Sequence, residues 1–203
     1  MKSAVAFAPL LLLGGCISLL PPPPPPPAIY VLEAEDAVSQ PGAMVNAVIG
    51  VAAPSGERTL LGSDLIWRDG VRLSFLGQAQ WSSRADAALQ SMLIETLTGQ
   101  RRFRAVVRSG EAHGDYELRW EVRDFEVRDL NMTAIFRADV MLVALPERTV
   151  VAQEIINGDE PVSARTASAA AQALARAARE GSARIGEFAA RSAAQDNAAS
   201  INR

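Results

Sequence analysis

The chain has 203 residues, of which 49% are hydrophobic, and a formal net charge of −3. A mildly acidic chain of this kind does not indicate binding to nucleic acid. A single cysteine excludes an intrachain disulfide, so that packing alone must stabilise the folded state.

The first sixteen residues have the layout of a bacterial lipoprotein signal. Lys2 supplies a positive charge, Ala4 to Leu13 are apolar, and Gly14-Gly15 precede Cys16. The apolar run is shorter than the roughly 20 residues that span a bilayer. We therefore predict that residues 1–15 are a signal peptide and that Cys16 is acylated. An ordinary secretory signal that ends in a chance cysteine is the alternative.

A tether follows the acylated residue. Pro21 to Pro27 form an uninterrupted run that favours polyproline II, a stiff spacer of roughly 20 Å. We assign residues 16–27 to this tether, which would separate the domain from the lipid. A docking site for an aromatic groove is the other interpretation.

Residues 28–192 are long enough for one domain with its own core. Ile29 to Leu32 and Val45 to Val51 are short apolar runs that predict two early strands. Asp69-Gly70 favours a type I′ turn, with Leu65-Ile66-Trp67 and Val71-Arg72-Leu73 as the two arms of a hairpin.

A first helix is predicted downstream of this hairpin. Ser83 to Asp86 read as a capping box, and apolar residues recur at helical spacing from Ala85 to Leu97, before Gly99. A short strand over Phe103 to Val107 follows.

The clearest strand alternates apolar and charged residues from Tyr116 to Val122. The apolar residues then change from even positions, at Trp120 and Val122, to odd positions, at Phe125 and Val127. One extra residue near Arg123-Asp124 would restore the inward face, so we predict a β-bulge there.

Two further strands and a long helix complete the domain. Asn157-Gly158 should end the last strand, and Gly181 and Gly186 should bend or fray the helix, at about 1 kcal/mol each. A disordered tail is expected over residues 193–203. The strands are predicted at Ala134 to Leu145 and Thr149 to Ile156, in an antiparallel meander, and the helix at Ala164 to Arg191.

Candidate surface residues are two tryptophans and an arginine cluster. Trp67 and Trp81 stand at element ends, where partial exposure would make them part of a partner or ligand surface, although core packing is the more common fate. Trp120 should point inward. Arg101, Arg102 and Arg104 form the densest positive patch, which could meet an acidic partner or lipid phosphates, or guard a strand edge.

Nothing in the sequence favours an enzyme. His113 is the sole histidine and lies in a predicted loop, so neither a metal site nor a catalytic triad with Ser109 is expected. No glycine loop suited to phosphate binding occurs, and no cofactor is expected.

The order of these elements resembles the ABC-type transport auxiliary lipoprotein family. The resemblance rests on Ile29-Tyr30-Val31-Leu32, Trp81 with the helix through Leu97, Asp115-Tyr116-Glu117-Leu118, and the closing helix from Val162 to Ala190. The resemblance implies an α+β domain with an antiparallel or mixed sheet and two helices packed on one face.

The resemblance also implies a function and partners. Such proteins are accessories of ABC transporters, alongside an MCE-domain substrate-binding protein, a permease and an ATPase, in systems that move lipids or other apolar molecules. Position 17 is isoleucine rather than the aspartate that usually retains such lipoproteins at the inner membrane. The resemblance therefore implies a location at the periplasmic face of the outer membrane. A freestanding lipoprotein that binds apolar ligand or peptidoglycan is the alternative, and self-association stays open.

Overall fold

The computed structural model describes residues 25–34, 42–145 and 147–201. Within these ranges the chain forms a mixed sheet of nine strands with two helices, which confirms the expected α+β class. The signal segment, Cys16 and the first four prolines of the tether lie outside the described residues. The elements are β1 (Ala28–Tyr30), β2 (Val45–Val51), β3 (Ser55–Gly56), β4 (Asp64–Asp69), β5 (Arg72–Trp81), α1 (Ala85–Gln100), β6 (Phe103–Arg108), β7 (Tyr116–Arg128), β8 (Thr133–Ala144), β9 (Thr149–Pro161) and α2 (Ala167–Ile201).

Strand β7 organises the sheet. Along one side it pairs antiparallel with β8, which in turn pairs with β9. Along the other side β2, β3 and β4 pair with it in parallel, one after the next. Beyond these, β6 extends the sheet from β2, while β5 and then β1 extend it from β4.

The predicted bulge in β7 is confirmed. The register with β8 shifts between Val122 and Asp124, so that Val122 and Phe125 are both buried in the main core. Trp120 is also buried, as predicted, and its indole Nε1 donates to the carbonyl of Ala52 at 2.9 Å.

The β4–β5 hairpin is confirmed, but its turn differs from the prediction. Asp69 pairs with Arg72, so the two central residues are Gly70 and Val71. Only Gly70 has a positive φ, of 57°. That is the pattern of a type II′ turn, because type I′ requires a positive φ at both central positions.

Helix α1 does not use the predicted capping box. Its N-cap is Arg84, which makes no side-chain cap hydrogen bond. The helix also continues through Gly99 to Gln100, and Arg101 ends it in the left-handed conformation at φ 54°. The Gln100 side chain donates to the carbonyl of Ala183 in α2, a tertiary contact that supports this last turn.

Helix α2 starts later and ends later than predicted, and the expected disordered tail is wrong for the described residues up to Ile201. Ala193 is fully buried, and the Tyr116 hydroxyl donates to Asp196 Oδ2 at 2.9 Å. Burial raises the pKa of Tyr116, and its hydrogen bond with Asp196 raises it further. Tertiary contacts of this kind order a terminal segment whose composition alone would suggest disorder.

Glycines in and beside α2 serve close packing. Gly181 faces the ring of Phe136, where an added Cβ would lie 2.2 Å from Cδ1, and Gly186 faces the Gln100 amide. The helix is one element through both positions. Likewise β9 does not end at Asn157-Gly158 but continues to Pro161, with Gly158 admitting the backbone of α2.

Candidate interaction surfaces

Trp67 is buried rather than exposed, contrary to the prediction, at 9% exposure. Its indole Nε1 donates to Asp129 Oδ1 at 2.8 Å, and the Arg165 guanidinium lies 5.9 Å from the ring centroid. The hydrogen bond from Arg165, and next the one from Trp67, hold the pKa of Asp129 below its ordinary value. The turn after β7 and the approach to α2 thus cover this ring.

Trp81 is likewise buried, at 4% exposure, so that it offers no surface to a partner. It stacks on Phe125 with ring centroids 5.8 Å apart and an interplanar angle of 20°. The position of Trp81 at the end of β5 suggested that it is exposed. However, β1 pairs with β5 at this end, with Tyr30 opposite Trp81.

The structure separates the three arginines of the predicted positive patch. Arg102 is half-buried, and its Nε donates to the carbonyl of Ala43 at 3.2 Å, so that it holds the chain leading into β2. Arg101 and Arg104 are exposed, and Arg104 forms an ion pair of 3.6 Å with Asp115. Only Arg101 and Arg104 of the cluster present their charge mainly to solvent.

A groove between strand β1 and helix α2 has a volume of about 270 Å³. Val31, which lines the groove, is 52% exposed, and Ile29 beside it is 57% exposed, although both belong to an apolar stretch. Arg179 closes one part, because its Nε donates to the carbonyl of Glu33 at 2.8 Å. The lining residues are Tyr30, Val31, Ala171, Gln172, Ala175, Arg176 and Arg179.

A charge network that the sequence pattern did not predict lies on the sheet face opposite the main core. Glu126 is fully buried. Its Oε1 lies 2.5 Å from Arg68 Nε and 3.6 Å from Arg128 Nε, whereas no described residue makes a hydrogen bond to its Oε2. Asp124 extends the network to Arg137, with 2.7 Å between Oδ2 and Nε. The hydrogen bond that Arg68 Nε donates to Glu126 Oε1 raises the pKa of Arg68.

We expect Arg68→Ala to lower the free energy of unfolding by about 2 to 3 kcal/mol, because it leaves the buried carboxylate of Glu126 with only Arg128, at 3.6 Å, among its two arginine partners. Chemical denaturation of both proteins measures this loss. Arg191→Ala is the matched control, because its ion pair with Glu154 is exposed on both sides and should contribute below about 1 kcal/mol. In a Glu126→Gln background the cost of Arg68→Ala should shrink, and strict additivity of the two changes would contradict the coupling.

Ser109 and His113 are the residues that the sequence offered for catalysis. Ser109 Oγ donates to Glu117 Oε1, and His113 is exposed in its loop. Among the described residues, no group of three or more His, Cys, Asp or Glu side chains is placed to hold a metal ion. Neither helix in the described ranges has the length and apolar character of a membrane span.

The sequence matches the family model of the ABC-type transport auxiliary lipoprotein component over residues 30–186. The match covers most of the chain, nearly all of the sheet, the whole of α1 and the first 20 of the 35 residues of α2. The chain belongs to this family. The resemblance seen in the order of the sequence elements is thereby confirmed, and a role as a lipoprotein component associated with ABC transport follows from it.

Solved structures support the fold. The crystal structure of protein XCC0632 from Xanthomonas campestris has a TM-score of 0.77 at 22% identity, and the alignment covers 84% of this chain and 99% of that one. The hypothetical protein CT253 from Chlamydia trachomatis has a TM-score of 0.52 at 7% identity, with 74% and 99% covered. A search of curated proteins finds no match. These neighbours show the architecture alone.

Proposed function

We propose that this protein is the lipid-anchored accessory subunit of an MCE-type ABC transport system, which moves lipids or other apolar molecules across the cell envelope. Cys16 would carry the lipid that holds the chain at the periplasmic face of the outer membrane. Its partners would be the MCE-domain substrate-binding protein, the permease and the ATPase of the same system. The observation that carries the proposal is the family match over residues 30–186.

Docking to protein partners suits this chain better than carriage of cargo. The groove beside β1 measures about 270 Å³, at the lower limit of the roughly 300 to 1,000 Å³ typical of ligand pockets. All three tryptophans, which could have lined an apolar pocket, are buried instead. The sequence has no loop suited to phosphate binding, so the energy of transport would come from the partner ATPase.

The second candidate is a freestanding outer-membrane lipoprotein that binds apolar ligand or peptidoglycan. The exposed Ile29 and Val31 beside the groove favour it, because an acyl chain could lie along them. The two candidates differ in what the isolated domain carries.

Lipid extraction from the isolated domain separates these candidates. We would produce the chain from Ile17 onward without its signal and without partners, and identify co-purifying lipids by mass spectrometry. The transport accessory should carry far less than one lipid per chain. Lipid at a near-equal molar ratio, lost when Val31 is replaced by aspartate, would favour the freestanding binder instead. Val150→Asp is the matched control, since Val150 is 57% exposed on a different strand.

A further inference from the structure

Two hairpin turns lie side by side at one end of the sheet. Strands β4 and β7 run parallel with Arg68 opposite Arg128, and the backbone N–H of Asp129 donates to the carbonyl of Arg68 at 2.8 Å. The turn after β4 and the turn after β7 are therefore neighbours. Each carries an aliphatic side chain that is 100% exposed, Val71 in the first and Leu130 in the second.

Aliphatic residues are unusual at such positions, because turns favour Gly, Pro, Asn, Asp and Ser. One exposed aliphatic side chain needs no explanation, but two at neighbouring tips place apolar groups together at one end of the domain, among the exposed polar residues Asp69, Arg72 and Asn131. We call Val71 and Leu130 together the apolar tip.

The N-terminal tether leaves the domain towards the apolar tip. Strand β1 runs parallel to β5, with Ala28 opposite Ala79 and Tyr30 opposite Trp81. Strand β5 begins at Arg72, directly after Val71. Since β1 and β5 point away from the turn, the residues that precede Ala28 lie on the side of the turn.

The predicted length of the tether fits this geometry. Ile29 pairs with Gln80, which pairs with Asp64. The five steps from Asp64 to Asp69 at the turn span about 17 Å of strand. Two strand steps from Ile29 back to Pro27, and six polyproline II steps from there to Pro21, together span about 25 Å. A heptaproline that continues the direction of β1 would therefore end within about 10 Å of the level of Asp69, just beyond the apolar tip.

From this match we infer that the apolar tip contacts the membrane that holds Cys16, with Val71 and Leu130 entering the interface between headgroups and acyl chains. The inference rests on the proposed acylation of Cys16. The chain between that residue and the prolines, Ile17-Ser18-Leu19-Leu20, is mostly apolar and suits the same depth. The tether would then orient the domain on the bilayer rather than separate the two. Lipid anchors bind more strongly when a second membrane contact accompanies them.

A single labelled thiol tests the inference. Because Cys16 is the chain's one cysteine and would be blocked by acylation, Val71→Cys in the full chain provides one reactive thiol. We would label it with an environment-sensitive fluorophore and reconstitute the protein in vesicles of phosphatidylethanolamine and phosphatidylglycerol. Val150→Cys is the control, because Val150 is 57% exposed near the opposite end of the sheet, where it pairs with Val143.

The inference predicts blue-shifted emission and several-fold stronger quenching by spin-labelled lipid at position 71 than at position 150. Equal quenching at both positions, in protein that floats with the vesicles, would overturn the membrane contact and leave the anchor intact. Protein that fails to float would overturn the anchor and the contact together. Leu130→Cys should behave like Val71→Cys, and a water-exposed label there would also overturn the inference.

Discussion

Replacing Gly158 with alanine is expected to lower the free energy of unfolding by about 3 kcal/mol, near the upper end for overpacked sites. The added Cβ would lie 2.1 Å from the carbonyl oxygen of Ala177 and 2.9 Å from the nitrogen of Gly181. Both are backbone atoms of α2, which can move only if the helix shifts against the sheet. Chemical denaturation, followed by circular dichroism, measures the loss.

Gly77→Ala is the matched control for this substitution. An added Cβ at Gly77 meets nothing within 4 Å, so the stability should change by no more than about 0.5 kcal/mol. A Gly158→Ala protein as stable as this control would show that α2 does not pack against β9 at the observed distance.

Replacing Cys16 with serine is expected to abolish acylation altogether, because the chain has no other cysteine. Each buried CH₂ of an acyl chain contributes about 0.8 kcal/mol to membrane binding, so losing every chain removes the proposed anchor. Metabolic labelling with a palmitate analogue measures the modification, and density-gradient fractionation measures the location. Labelled protein should be absent, and the outer-membrane fraction should lose the protein.

Ser18→Ala is the control for the cysteine substitution, since it changes a hydroxyl two residues away and leaves the signal pattern intact. It should keep full label and full outer-membrane location. Label retained by Cys16→Ser, or an outer-membrane fraction unchanged by it, would contradict anchoring through this residue.

Local sequence patterns predicted most of the fold. Alternation in β7 identified the inward face, and the change of parity after Val122 located the bulge that the register confirms. The pattern did not predict where β9 and α2 end. Gly158 and Gly181 break secondary structure by their intrinsic preferences, but here they let strand and helix approach, and this tertiary gain is invisible in local propensity.

The candidate surface was predicted less well, because exposure depends on contacts distant in sequence. Trp67 stands near the end of a strand, yet Asp129 and Arg165 cover it from two other elements. Glu126 is a second case of unexpected burial, here of a charged residue. A charged residue on the outward face of a strand is ordinarily solvated, but Arg68 from β4 lies against it and it is fully buried. The parity change that located the bulge also put Glu126 on the face opposite the main core. This was the one feature of the sequence that pointed to the buried charge network.

An accessory subunit of a transport complex should be bound to its partners in the cell envelope. We would test this by crosslinked affinity isolation of the acylated protein from its native envelope, with mass spectrometry of proteins and lipids in the eluate. We expect to recover an MCE-domain protein together with its permease. Recovery of lipid or peptidoglycan without those proteins would contradict it and favour the freestanding binder.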